Sequence, residues 1–254
     1  MPIRGDVANR LLASLPPDAL AKLMPDFERI PMRMREFLHE PKAPTPYVYF
    51  PNFGVISLLV VLRSGTSVEL ATVGNEGMVD IATVLGLADS ESQSTVQVPG
   101  EAFRMKSELF RDHMEKDRYF RALLNAYAME LFTMTAQNTA CYRAHNAVQR
   151  CARWILMTHD RVNTDEFPIT HEFLSEMLGV RRPTVTGAAT ALQDKKLIWY
   201  RHGVLRVLDR AGLQEATCEC YELIRDRIDL LPGRANGIGR PLASGLWVAA
   251  SPGQ

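Results

Sequence analysis

Between Tyr119 and Arg143 the chain runs without a proline or a glycine, and this stretch limits the possible fold more than any other. At 1.5 Å per residue, a helix there is roughly 38 Å long, longer than a small domain is wide. Phe120, Leu124, Tyr127, Leu131, Met134, Asn138 and Cys141 recur along it at alternating steps of four and three. This is a heptad seam over about three heptads, the pattern by which two helices pack on each other. A domain upstream cannot cover so long a helix, so these seven residues are expected to form a dimer interface. Asn138 is the polar seam position that can set register. A helix packed on its own domain satisfies the same spacing.

Upstream, residues 8–24 carry a broken amphipathic pattern that Pro16 and Pro17 divide into two short helices. From 27 to 105 prolines and glycines become frequent and apolar runs short. Segments 47–50, 54–62, 67–73, 94–98 and 102–105 read as strands, with breaks at Pro51-Asn52, Gly74–Gly77 and Pro99-Gly100. Short strands with regular turns point to a β-barrel or jelly roll. A short helix is expected within 78–85.

Downstream, 146–160 is again helical, 161–168 has loop chemistry, and 169–208 holds the most specific pattern. Thr170 is placed to cap a helix ending at Leu178. Gly179 permits the left-handed turn to a second helix, 182–195, with Pro183 in its first turn, where a missing N–H costs nothing. Leu174, Leu178, Val180, Val185 and Ala188 have the spacing to bury the elbow, which leaves Arg181, Arg182, Thr184, Thr186 and Thr190 outward. A polar or basic first turn on the second helix is what reading a DNA major groove requires. Segments 197–200 and 204–208 flank Arg201-His202-Gly203 and read as a hairpin, the wing. From Arg181 to Arg210 seven Lys or Arg face two acids, in a chain whose net charge is zero. Such a basic stripe is the electrostatic footprint of phosphate binding.

Hydrophobic residues make up 46% of the chain and charged residues 23%, so a core can form without disulfides or metal. Cys141, Cys151, Cys218 and Cys220 contain no C-x-x-C pair, and no histidine is read at metal-ligand spacing from them. They are expected to be reduced packing thiols, and no metal and no cofactor is expected. On a helix Cys218 and Cys220 would face different directions. Cys141, on the seam, allows an intersubunit disulfide. No signal-peptide pattern and no membrane-length apolar run is present, which places the chain in the cytoplasm. G-x-S-x-G, GxGxxG, H-E-x-x-H and phosphate-cradling loops are absent, so no catalytic residue is assigned and an enzyme is not expected.

The order Val48-Tyr49-Phe50-Pro51, Gly54-Val55-Ile56-Ser57, Val68-Glu69 and Gly74-Asn75-Glu76-Gly77-Met78, followed by Ile169-Thr170 and Leu178 to Val185, resembles the Crp/Fnr family of bacterial transcription regulators. The resemblance covers roughly residues 8–225. It implies an α+β fold in three parts: a jelly-roll-like, cyclic-nucleotide-binding-like β-roll over 1–118, a dimerisation helix over 119–145, and a winged helix-turn-helix over 146–231. A flexible tail is expected over 232–254. It further implies a homodimer on a palindromic site in double-stranded DNA, with RNA polymerase as a further partner and no membrane. Arg182 matches the family's base-reading arginine, because guanine O6 and N7 accept a bidentate guanidinium, and Thr170 matches a phosphate contact at a helix start. Arg201 and His202 of the wing complete the DNA-binding set.

Glu69, Met78, Val79, Asp80, Gln93 and Ser94 fall where an effector pocket is expected. Met78-Val79-Asp80 and Gln93 stand where cyclic-nucleotide binders carry a glutamate and an arginine. Gln93 cannot neutralise a phosphate as a guanidinium does. Dependence on cyclic AMP is therefore not expected, and the effector is unknown. No cysteine precedes Cys141, which excludes the family's N-terminal iron–sulfur cluster. The alternative readings are a thiol- or metal-sensing DNA-binding regulator and a helical protein-interaction module.

Overall fold

The computed structural model describes residues 7–162 and 164–236. Helices α1 (Arg10–Ala13) and α2 (Pro17–Leu23) precede β1 (Glu28–Met32), β2 (Phe37–His39), β3 (Tyr47–Val61), β4 (Ser67–Val73), α3 (Ile81–Val84) and β5 (Gln93–Lys106). Pro17 starts α2 because its missing N–H falls among donors that have no helical partner anyway. Among the described residues the strands form one antiparallel sheet in the order β1-β5-β3-β4, with β2 also on β5.

Pro51 and Pro99 lie inside β3 and β5, so the expected breaks are bulges within two long strands. The β3–β5 register shifts between Pro51 and Phe53 and again between Phe53 and Val55. Pro51 still pairs with Ala102 there. A bulge absorbs the residue that cannot donate and bends the strand. Gly54 takes φ +93° at this point, and a Cβ on Gly100 would overlap the Phe53 carbonyl, so the two strands approach where neither has a side chain. The bend curls the sheet into a roll.

Next come α4 (Ser107–Lys116), which is absent from the sequence reading, and α5 (Arg118–Ala144). Asp117 caps α5, its carboxylate accepting from the Tyr119 and Phe120 amides. Then come α6 (Ala147–His159), β6 (Glu166–Pro168), α7 (His171–Leu178), α8 (Arg182–Asp194), β7 (Ile198–Arg201), β8 (Val204–Val207), α9 (Arg210–Ala216) and α10 (Cys220–Asn236). The order in the second sheet is β6-β8-β7. The α10 helix continues past the expected tail start at 232, and residues 237–254 lie outside the described residues.

The heptad stripe of α5 is buried by its own chain, which corrects its expected role as a free seam. Phe120, Leu124 and Tyr127 enter the core under the roll, with Leu12, Phe50 and Phe110. Leu131 and Met134 join the core that holds Trp154, Leu174 and Leu213. Asn138 donates to the Leu70 carbonyl at 2.6 Å and accepts from Arg153 at 2.5 Å. Cys141 faces Cys218 of the same chain, so it is not placed for a disulfide between subunits. Heptad spacing marks a buried stripe but does not say what buries it. The opposite face is open: Met129 is 57% and Phe132 67% exposed, in line with exposed Asn125, Ala136, Ala140 and Arg143.

Candidate nucleic-acid interface

Thr170 is the N-cap of α7, its hydroxyl accepting from the Phe173 amide at 3.1 Å. Gly179 ends the helix at φ +60°, a left-handed conformation that favours glycine, and the chain turns into α8 with Pro183 in its first turn. Leu174, Leu178, Val185, Ala188 and Leu192 are buried at the elbow and Val180 is half-buried. Removing this much apolar side chain from water holds the two helices at one angle. Arg150, buried on α6, donates to the Leu178 carbonyl at 2.8 Å and so satisfies the C-terminal end of α7. Nothing in the sequence pattern marks Arg150 for this, since it sits on a helix face that reads as apolar.

Arg181, Arg182, Thr184, Thr186 and Thr190 are all exposed on or beside the first turns of α8. The Thr186 hydroxyl already lies 3.1 Å from the Arg182 carbonyl and 3.2 Å from His171 Nδ1. His171 in turn stacks on Tyr200 of β7, with ring centroids 4.5 Å apart. Tyr200 donates its hydroxyl to the Ile169 carbonyl at 3.0 Å and its amide to Gln193 at 2.8 Å. His171 and Tyr200, which the sequence reading did not single out, thus brace the wing against both helices. Burial, and then the charge of Arg182, hold His171 below its ordinary pKa, so it is neutral at pH 7.

The wing turns at His202 (φ +52°) and Gly203 (φ +78°), with Arg201 paired to Val204. Two successive left-handed residues are the signature of the tight turn that matches strand twist. Arg201 and His202 are exposed at its tip. Of the seven basic residues counted between 181 and 210, two are engaged: Arg206 pairs with Glu166 at 2.5 Å and Arg210 with Asp160 at 2.6 Å. Arg181, Arg182, Lys195, Lys196 and Arg201 make no ion pair among the described residues.

Three of the six expected effector residues share one cavity and three do not. Val79, Asp80 and Ser94 line a cavity of about 150 Å³ together with His39 and Thr135. Met78 is buried in the core, its carbonyl accepting from the Tyr127 hydroxyl at 2.9 Å. Glu69 is buried beside Ser57, and Gln93 opens into a different cleft shared with Phe173 and Glu176 of α7. Asp80 has left-handed backbone (φ +86°), and burial raises its carboxyl above the usual range against hydrogen bonds from Thr45 and Thr83. The cavity carries a carboxyl and no arginine among its lining residues.

The cysteine reading needs correction. His145 stands four residues after Cys141, and Cys218 and Cys220 lie in the turn that opens α10, so their side chains converge. Cys151 is buried apart from them in the C-terminal core.

Residues 149–216 match the model of the Crp-like helix-turn-helix domain. No curated protein matches the chain. Among solved structures, a transcriptional regulator of the Crp/Fnr family from Eubacterium rectale is 15% identical, with a TM-score of 0.64 over 82% of this chain and 97% of that one. FixK2 from Bradyrhizobium japonicum is 14% identical, with a TM-score of 0.63 over 76% and 98%. The c-di-GMP responsive regulator CLP of Xanthomonas campestris is 13% identical, with a TM-score of 0.56 over 75% and 98%. The class is therefore set by fold and site together: a roll, a long helix and a winged helix-turn-helix. The chain carries a Crp-like helix-turn-helix domain and has the fold of the Crp/Fnr transcriptional regulators.

Proposed function

We propose that the chain is a transcription regulator that binds double-stranded DNA as a homodimer on a palindromic operator. The observation that carries this reading is the basic, exposed start of α8 beside an exposed basic wing tip, braced by His171 and Tyr200 and without an acidic partner among the described residues. Arg182 reads a base edge in the major groove, and Arg181, Thr184, Thr190, Arg201 and His202 contact backbone or neighbouring bases. Thr170 and Thr186, whose hydroxyls already have partners in the fold, are the weaker contacts.

The second copy packs on the outward face of α5. Met129, Phe132 and Ala136 follow the three-then-four step of a two-helix seam, and small Ala140 allows close approach. Two such subunits place their α8 helices about one DNA turn apart. RNA polymerase is the further partner of such a regulator. No helix among the described residues is long and apolar enough to cross a membrane, and DNA as ligand places the protein in the cytoplasm.

Cyclic AMP is not the effector in this reading. The cavity of about 150 Å³ is below the roughly 300–1,000 Å³ of small-molecule sites, and no arginine or lysine among the described residues lines it to neutralise a phosphate. The experiment is retention of a random duplex pool by the purified full chain at rising salt. Specific duplexes should be selected, with binding falling steeply as salt rises. Absence of salt-sensitive retention overturns the reading.

A further inference from the structure

We propose that Cys141, His145, Cys218 and Cys220 form a tetrahedral site for one zinc-class divalent cation that clasps the end of α5 to the start of α10. Sequence spacing hides the site because its two halves are far apart in the chain and neither has the usual C-x-x-C form. The fold assembles them. Cys141 and His145 are one turn apart on the same side of α5, at and just beyond its last turn. Cys218 precedes α10 and Cys220 opens it, so a two-residue spacing that diverges on a helix converges in this turn.

All four ligand atoms lie within 4.8 Å of one another. Cys141 Sγ is 3.6 Å from Cys218 Sγ, and Cys220 Sγ is 3.6 Å from His145 Nδ1. With zinc–sulfur bonds of about 2.3 Å and zinc–nitrogen bonds of about 2.0–2.1 Å, a tetrahedral ion holds its ligand atoms roughly 3.4–3.8 Å apart. Both measured edges fall in that interval. They are far from the ~2.0 Å of a disulfide. Four donors this close enclose a single ion, whereas a multi-iron cluster spreads its thiolates over several metals.

The surroundings fit a closed site. The three cysteines are buried and His145 is half-buried, leaving the imidazole side as the way in. Gln137 Nε2 donates to Cys220 Sγ at 3.1 Å, an outer contact that fixes a ligand's orientation. On binding, the three thiols release their protons to solvent and the imidazole contributes a lone pair. The complex then carries one net negative charge. Arg153, buried and bonded to Asn138 one turn before Cys141, supplies positive charge nearby.

The site also has leverage. His145 caps α5, and the next residue, Asn146, already caps α6. An ion bound here ties the joint between the long helix and the helix-turn-helix region to α10, which lies antiparallel along α5 through Gln137–Cys220 and Glu130–Arg227 contacts. The inference does not depend on DNA binding.

The test uses the full chain, stripped by a chelator under reducing conditions and titrated with Co²⁺ and then Zn²⁺. One Co²⁺ per chain should bind with the visible bands of tetrahedral cobalt and sulfur-to-cobalt charge transfer, and Zn²⁺ should abolish them. Zinc should also raise the thermal midpoint. C151S should retain the spectrum, C218S/C220S should lose it, and H145A, at the half-exposed ligand and so least disruptive of folding, should bind at least about tenfold more weakly. Absence of thiolate bands in the wild type, or unchanged bands and affinity in H145A, overturns the proposal. DNA retention is scored separately, so failure of either reading is seen by itself.

Discussion

Arg161 Nη2 lies 2.6 Å from Glu76 Oε1, with both side chains enclosed, and this pair joins the segment after α6 to the turn between β4 and α3. Arg161 also donates to Thr72 Oγ1 at 2.8 Å. Burial pushes the Glu76 carboxyl up, but the Arg161 charge and hydrogen bonds bring it below its ordinary value. The roll and the C-terminal region therefore share a buried ion pair. Glu76→Ala leaves an uncompensated buried guanidinium and should cost about 3–5 kcal/mol, whereas Glu76→Leu with Arg161→Met should cost far less than the two single changes together. Urea unfolding of the wild type, Glu76→Leu, Arg161→Met and the double variant gives the coupling. Single-variant losses near zero would show that water reaches the pair.

Glu69 sets a pH dependence. Burial raises its carboxyl to about 7, against lowering contributions from Ser57, Arg153 and Arg161. Between 4.5, its ordinary value, and about 7, the folded chain holds a proton that the unfolded chain has lost. Stability from this group therefore falls as pH rises through that window and levels off above it. Protonated Glu69 can donate to Ser57, which in turn can donate to Gln97 at 2.7 Å. Glu69→Gln keeps the hydrogen bonds and removes the charge. It should flatten the profile and gain on the order of 2–3 kcal/mol at pH 8. Chemical denaturation from pH 4.5 to 8.5 measures this; an unaltered slope in the variant assigns the effect elsewhere.

Arg182 and Arg201 should fail differently. Arg182→Ala should cost about 1–3 kcal/mol on a selected duplex and relax preference at one base pair, while Arg201→Ala should weaken all duplexes alike and reduce the salt slope by about one. Titrations against matched and mismatched duplexes at several salt concentrations separate the two. Equal losses on every duplex for Arg182→Ala would remove its base-reading role.

The two faces of α5 separate stability from association. Phe132→Arg, on the open face, should give a monomer of unchanged far-UV dichroism. Leu124→Ala, wholly buried, should cost about 2–5 kcal/mol in unfolding. Sedimentation and urea unfolding report on the two. A dimer that survives Phe132→Arg would move the interface off this face.

Local chemistry carried the readings that the structure bears out. Thr170 as cap, Gly179 at positive φ, Pro183 in a first turn and a hairpin turning at His202-Gly203 each follow from a preference of one or two residues that neighbours do not overrule. The same local logic misplaced Pro51 and Pro99, because a bulge lets a proline stay in a long strand. The strands β1, β2 and β6 carry little periodicity of their own and are held by pairing, whereas α4 does carry a helical stripe, with Ser107, Phe110 and Met114 buried at steps of three and four.

By itself, then, the order of residues determined how the two helices of the elbow begin and end, which stripe of α5 is apolar, and that a basic helix-turn-helix and wing follow. Tertiary structure decided what that stripe packs against, which face of α5 remains open, which arginines keep their charge free, and that Cys141, His145, Cys218 and Cys220 meet. The physical reason is range: capping and turn preferences act over a few residues, whereas burial and ligand geometry depend on groups 70 or more positions apart, brought together only when the chain closes.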